Sequence, residues 1–397
     1  MKRMIAALCT ALCLTGCAER GVPDPQGPTI TPEAPVIKDD IQVPDEPSAE
    51  ERAEQYLREL LSGMTLEEKV GQMFFVRCPE TGAADDVQRY HLGGLLLFGR
   101  DYKNAAGEWL TASELTEQLA SYQSAANIPL FIGSDEEGGT VTRASRNPNL
   151  FAEKSKSPQQ LYAAGKDSRD PLDTIAADAE EKSALLLEWG INVNFAPVAD
   201  VSTDPSDFIY DRAFGQDAEA TAAYVARVVG AMNETGIAGV LKHFPGYGNN
   251  VDTHTGIAID TRSYESFVES DFLPFEAGIE AGAPFVLVSH NVVECMDATL
   301  PASLSPAVHE ILRGELGFTG ISITDDLAMD AVAEYADGEA AVLAVLAGND
   351  MLVTSDYQSD IPAVLAAVAD GRISEEQVNE SVIRILHCKL SMGLLTL

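Results

Sequence analysis

Basic residues are scarce in this chain: 26 Lys and Arg stand against 62 Asp and Glu over 397 residues, a formal net charge of −36. So one-sided a balance argues against charge-driven recognition of nucleic-acid backbones or anionic membrane surfaces, and against a polyanionic substrate held in a basic groove. Long apolar runs are missing too, since no stretch reaches the ~20 uninterrupted apolar residues that a spanning helix needs. Cysteine is sparse and scattered. Beyond Cys17 the chain keeps Cys78, Cys295 and Cys388, which fit no CxxC-type zinc spacing and read as buried free thiols, with one disulfide as the alternative. No dinucleotide fingerprint or Walker loop follows any apolar run, so neither a cofactor nor a metal is expected.

What is present suffices for a large core: 46% of the residues are hydrophobic, and the length permits two ordinary domains or one large α/β barrel. The opening MKRMIAALCTALCLTGC has a basic start at Lys2 and Arg3, a short apolar run and a small-residue end, which reads as a signal peptide. Its last four residues, Leu14 to Cys17, resemble the bacterial lipobox, in which the cysteine is lipidated; a plain secretion signal is the alternative. The following stretch to about Ser48 is rich in proline and acidic residues and too poor in apolar ones to offset the entropy of ordering. The expected organisation is a signal peptide over 1–16, a tether over 17–49 and one folded domain over 50–397. That domain is expected to act as a monomer outside the cytoplasm, touching a bacterial membrane only through lipid on Cys17.

From Glu50 onward, amphipathic segments alternate with short, nearly continuous apolar runs: VGQMFFVRC, GGLLLF, PLFIGSD, INVNFAPVAD, AGVLKHFP, PFVLVSH, GISITDD and NDMLVTS. Such runs suit parallel strands covered on both faces, and eight of them interleaved with helices favour a (β/α)8 TIM-type barrel as a single catalytic domain. Polar residues close several runs: Ser134 and Asp135, Asp200, Lys242 and His243, His290, and Asp325 with Asp326. In a barrel these C-terminal strand ends converge on one mouth.

The stretch KHFPGYGNNVDTHTG concentrates Lys242, His243, Asp252 and His254 in a chain with six histidines. Two histidines and a carboxylate could hold zinc, but neither an HExxH nor an HxH pattern is present. Asp252 and His254, two positions apart, point to one side of a locally extended segment, where the carboxylate can fix the imidazole tautomer and make an acid/base group. Asp325, directly after an apolar strand, is a candidate nucleophile, and Asp326 on the alternate side suits orientation or capping. Capping of the next helix is the structural alternative for either aspartate. Asp135 and Arg143, separated by a glycine pair, could grip sugar hydroxyls or merely brace a turn. Arg212 in YDRAFG is either a ligand contact or a partner of Asp211 or Asp217.

With these residues assembled, the chain resembles family 3 glycoside hydrolases of the β-N-acetylhexosaminidase (NagZ-type) branch from about Leu57 onward. The likeness is carried by MTLEEKVGQMF, GSDEEGG, NFAPVADV, DRAFG, KHFPGYG with DTH, and TDDLAM. It implies Asp325 as nucleophile, His254 paired with Asp252 as acid/base, and Asp135, Arg143, Arg212, Lys242 and His243 as the grip on a terminal N-acetylhexosamine. The loop departs from the family pattern: Tyr247 replaces a histidine, Thr253 replaces a serine, and one residue is missing. Thr140 stands where an arginine is common. The implied activity is a retaining exo-β-N-acetylglucosaminidase acting on cell-wall fragments or chitooligosaccharides. A phosphorylase using the same chemistry, a β-glucosidase or β-xylosidase, and a non-catalytic sugar-binding lipoprotein are the alternatives.

Overall fold

Each of the eight apolar runs contains a strand: β1 Phe74–Arg77, β2 Gly94–Leu97, β3 Phe131–Ser134, β4 Val193–Asn194, β5 Ala238–Phe244, β6 Phe285–Val288, β7 Ile321–Thr324 and β8 Leu352–Thr354. The computed structural model describes residues 47–250 and 258–397, apart from 330, 331, 333, 334 and 337. The leader, Cys17 and most of the tether lie outside the described residues, as do Asp252 and His254.

The strands pair in parallel in the order β8-β1-β2-β3-β4-β5-β6-β7. A parallel bridge between Ile323 and Met351 joins the last strand to the first and closes the sheet into a barrel. Every residue of β2, β3, β5, β6 and β7 is buried, as continuous apolar strands between helices and a filled interior should be. Phenylalanines fill that interior. Phe75 packs edge-on against Phe195 at 5.3 Å, and Phe131 packs edge-on against Phe285 at 5.2 Å.

Helix starts follow local chemistry. Ser48, Thr65, Thr111 and Ser157 each cap a helix through the side-chain oxygen and donate their own backbone N–H to the Glu or Gln side chain three residues later, a pairing that satisfies two otherwise orphaned N–H donors. The first described helix spans Ala49–Gly63. The long helix Ala218–Thr235 ends on Gly236 in the left-handed region. Outside the barrel, Ile259–Asp260 pairs with Val292–Val293 in a small parallel sheet.

The three cysteines of the domain are free thiols. Cys78 and Cys388 are buried, and burial pushes both up to about 12. Cys295 corrects the expectation of buried thiols: it is exposed, because it sits in the turn just after Val292–Val293 rather than on a core-facing position.

Candidate active site

The C-terminal ends of the strands enclose a cavity of about 260 Å³ lined by Arg77, Phe98, Asp135, Arg143, Phe195, Arg212, Lys242, His243, Asp325 and Asp326 among others. Ligand pockets for drug-sized molecules run from ~300 Å³ upward, so this space suits one sugar ring rather than a chain of them. Phe195 forms apolar floor, continuous with the phenylalanine core beneath.

Asp135 follows β3, and each of its oxygens meets a cation: Oδ1 accepts from Lys242 Nζ at 2.8 Å and Oδ2 from Arg143 Nη2 at 3.4 Å. An ionised carboxylate has about four lone-pair sites, so acceptor capacity remains for ligand hydroxyls. Gly138 and Gly139, both at positive φ, make the tight turn that returns Arg143 to the same cavity. The guanidinium of Arg143 lies 5.3 Å from the Phe98 ring centre, and that of Arg77 lies 4.2 Å from it. Among the described residues, the Nε atoms of Arg77 and Arg143 are buried without a hydrogen-bond partner.

Lys242 and His243 lie just before Phe244 at the C-terminal end of β5; the peptide between them is cis, and both residues line the cavity. His243 Nδ1 lies 2.7 Å from Asp200 Oδ2, and its Nε2 lies 3.1 Å from Arg212 Nη2. Arginine can only donate, so Nε2 accepts and Nδ1 carries the proton that Asp200 receives. Both ring nitrogens are thereby engaged within the protein, which leaves His243 no lone pair for a metal. Among the described residues, no group of three or more His, Cys, Asp or Glu is placed to hold one.

Two acidic residues that sequence reasoning passed over organise these cations. Glu137 accepts from Arg212 Nε at 3.0 Å and Nη2 at 2.8 Å and pairs with Lys242 Nζ at 2.6 Å. Arg212 therefore pairs with Glu137, not with Asp211 or Asp217. Burial works to raise the Glu137 carboxyl, but Arg212 and Lys242 overcome it and hold it at about 2. The same contacts act on Lys242: burial opposes its charge, and Asp135 with Glu137 keeps it above the ordinary lysine range. Glu136, fully buried, accepts from the backbone N–H groups of Arg143 and Ser145 and from the Ser145 hydroxyl, which fixes the loop carrying Arg143. The available signal was three successive carboxylates at a strand end, more than one mouth-facing position can hold.

Asp325 follows β7 directly. Its backbone N–H donates to Val288 O at 3.1 Å, and its Oδ1 accepts from Asp326 N at 2.8 Å. Asp326 Oδ1 accepts from Ala328 N at 3.0 Å, a local turn bond of the capping kind expected for it. Yet Asp326 also lines the cavity, contrary to its placement on the opposite side, because strand alternation stops where β7 ends at Thr324. Burial, with Asp325 and Asp356 close by, pushes its carboxyl above the usual range against the pull of Ala328 N–H and Arg77. His290 and Asp200, expected at the mouth from their strand-end positions, are not among the residues that line this cavity, and both are buried. His290 spans Ser303 Oγ at 2.7 Å and the Asp326 carbonyl at 3.0 Å, so it supports the turn instead.

A strand-end carboxylate beside a cluster of carboxylates, guanidinium groups and an ammonium can bind a polyhydroxylated ring and attack an electrophilic carbon on it. Comparison with known proteins points the same way. Residues 65–388 match the Glycosyl hydrolase family 3 N terminal domain. A beta-hexosaminidase of Stenotrophomonas maltophilia is 36% identical over 257 residues, which cover 62% of this chain and 71% of that one. A glycoside hydrolase family 3 beta-N-acetylglucosaminidase from Paenibacillus superposes with a TM-score of 0.76 at 31% identity, covering 84% of this chain and 65% of its own. The Beta-N-acetylhexosaminidase of Beutenbergia cavernae superposes with a TM-score of 0.71 at 29% identity, covering 82% of this chain and 98% of its own. The barrel, the residues at its mouth and these likenesses together place the chain in glycoside hydrolase family 3.

Proposed function

We propose that this chain is a retaining exo-β-N-acetylhexosaminidase that removes a terminal β-linked N-acetylglucosamine by hydrolysis. The observation that carries the reading is the meeting, in one sugar-sized cavity, of Asp325 with Asp135, Arg143, Arg212, Lys242 and His243. The related hexosaminidases support the substrate class. In this reading Asp135, Arg143, Arg212 and Lys242 grip the terminal ring, and His243, both of whose ring nitrogens are taken, lines it and holds Arg212 in place. Asp325 attacks the anomeric carbon as His254, oriented by Asp252, protonates the departing glycosidic oxygen, giving a covalent glycosyl-enzyme. Water then attacks the anomeric carbon, gives its proton to His254 and releases Asp325 as carboxylate.

The experiment is to follow para-nitrophenyl N-acetylglucosaminide hydrolysis by proton NMR. The first-formed sugar should be the β anomer, and a first-formed α anomer removes the retaining mechanism. The same glycoside lacking the N-acetyl group should be a much poorer substrate.

The leader supports an extracytoplasmic enzyme anchored by lipid on Cys17, with cell-wall fragments or chitooligosaccharides as natural substrates. Palmitate labelling that persists in Cys17→Ser would remove the anchor.

A further inference from the structure

Arg262 binds the chain on both sides of the segment 251–257. It donates from Nε and Nη2 to Asp260 at 2.7 to 3.1 Å, and from Nη1 to both oxygens of Asp271 at 2.8 and 3.0 Å. The two aspartates are buried, and Asp271 is delivered by a π-helical turn over Phe267–Asp271. The guanidinium also lies 4.2 Å from the Phe267 ring centre, and its Nη2 reaches the Gly246 carbonyl at 3.4 Å.

On the incoming side the backbone presses against this ion set. A Cβ at Gly246 would stand 2.3 Å from Asp271 Oδ1, and one at Gly248 would stand 2.5 Å from Arg262 Cζ. Asn250 then donates to Asp260 Oδ2 at 2.8 Å and to the Tyr247 carbonyl at 2.9 Å. On the outgoing side, Val292 N donates to Ala258 O at 2.8 Å and Glu294 N to Asp260 O at 2.9 Å. One carboxylate, Asp260, thus receives both the residue before the segment and the arginine after it.

Buried ion sets are weak sources of stability, because desolvation offsets most of their attraction. What bidentate guanidinium–carboxylate pairs supply is direction. We propose that Asp260, Arg262 and Asp271, with Asn250, form a clamp that fixes both ends of segment 251–257 and so positions the Asp252–His254 pair for proton transfer. Arg262 is then a positioning residue, and the assignment rests on the reading of His254 as acid/base.

The test compares Arg262→Met, Arg262→Lys, Asn250→Ala, His254→Ala and the unmodified full chain on three N-acetylglucosaminides. Their leaving groups are dinitrophenolate, which departs unprotonated, nitrophenolate, and a sugar alcohol, which needs a proton. A misplaced acid/base group should lower kcat on the disaccharide by ~10²-fold in Arg262→Met and somewhat less in Asn250→Ala. The first turnover on the dinitrophenyl glycoside should change by less than ~10-fold, with kcat/KM nearly constant. Azide attacks the glycosyl-enzyme without a base, giving the glycosyl azide and free Asp325 carboxylate, so it should restore steady-state turnover of the dinitrophenyl glycoside in these variants as in His254→Ala, and leave the loss on the disaccharide in place. Arg262→Lys, with charge but no bidentate fork, should recover only part.

Equal losses on all three leaving groups, wild-type rates, or a steady-state loss on the dinitrophenyl glycoside that azide leaves untouched would overturn the clamp. Should His254→Ala itself show no such pattern, the acid/base reading falls and the clamp with it; the pattern in His254→Ala alone removes only the clamp. Asn250→Ala deletes one bridging amide at a half-buried position, so the outcome does not depend on the folding of Arg262→Met.

Discussion

Lys242 and Glu137 face each other at 2.6 Å, with only 3% and 2% of their side chains exposed. The same ammonium reaches Asp135 at 2.8 Å, so a carboxylate behind the cavity holds in place the cation that steadies a carboxylate inside it. In Glu137→Gln the new amide N–H group must face Arg212 or Lys242, and two cations lose their counter-charge. Breaking one side of a buried pair costs ~3–5 kcal/mol, and urea unfolding should show a loss of that order. The folded Glu137 titrates at about 2, below its ordinary 4.5. Its stabilisation is therefore complete above pH ~4.5 and lost as pH falls toward 2, on the order of 3 kcal/mol, a slope that Glu137→Gln should remove.

Asp325 and Asp135 share the cavity but should fail differently. Asp325→Ala removes the attacking oxygen, so kcat on an activated aryl glycoside should drop by orders of magnitude while binding of free N-acetylglucosamine persists. Asp135→Asn keeps the shape but leaves an amide facing Lys242 or Arg143 and weakens charge-assisted hydrogen bonds to the sugar. Each such bond is worth ~1.5–3 kcal/mol, so kcat/KM should fall by ~10- to 10²-fold, chiefly through KM. A reversed pattern in steady-state kinetics would exchange their roles.

The barrel was legible because parallel strands buried on both faces leave unbroken apolar runs, and the C-terminal polar residues gave the mouth. Alternation failed at Asp326, since it holds only while the strand lasts and β7 stops at Thr324. Glu137 was invisible for another reason: its partner Arg212 lies 75 residues away, and nothing local in DEEGG distinguishes a carboxylate that grips from one that braces. Arg77 closes an apolar run much as any surface arginine could; only the folded sheet brings it beside Phe98.

Lys389, on the helix Glu375–Ser391, is fully buried; its Nζ donates to Gln72 Oε1 at 2.6 Å and the Gly93 carbonyl at 3.2 Å, 4.9 Å from the Phe131 ring centre. Burial lowers it from 10.5 to about 7, with no carboxylate among its hydrogen-bond partners to hold the charge. Below pH ~7 the folded protein carries the whole cost of the buried ammonium. As pH rises from 7 toward 10.5, stability should gain up to roughly 5 kcal/mol from this group. Lys389→Met also leaves Gln72 Oε1 unpaired, at ~1–3 kcal/mol, while the Gly93 carbonyl keeps the Phe131 N–H at 3.0 Å, so absolute stability is a poor readout. The difference in slope between unfolding series at pH 7 and 9 is the measurement, and parallel slopes would refute the shift.

Asp200 accepts from donors on both oxygens: His243 Nδ1 at 2.7 Å and His243 N at 3.2 Å on Oδ2, and Tyr247 N at 2.8 Å on Oδ1. Arg212, which can only donate, occupies the other nitrogen of His243 at 3.1 Å, so the whole line has one consistent proton arrangement. Asp200→Asn changes no volume, yet its amide has one acceptor oxygen for two groups of donors. Either the Tyr247 N–H or the His243 pair must then face an N–H group. If the amide turns its oxygen to His243, the tautomer survives and the backbone entering the GYGNN stretch loses its anchor; if it turns to Tyr247, the imidazole must release its Nδ1 proton or rotate away from Arg212. Both routes disturb the grip on the sugar without touching Asp325. Asp200→Asn should therefore raise KM by ~10-fold or more and cost ~1–3 kcal/mol in stability from the unsatisfied donor. Nitrogen NMR of the His243 ring tells the routes apart, and an unchanged KM with an unchanged tautomer would show that the line from Asp200 to Arg212 does not set the geometry of the site.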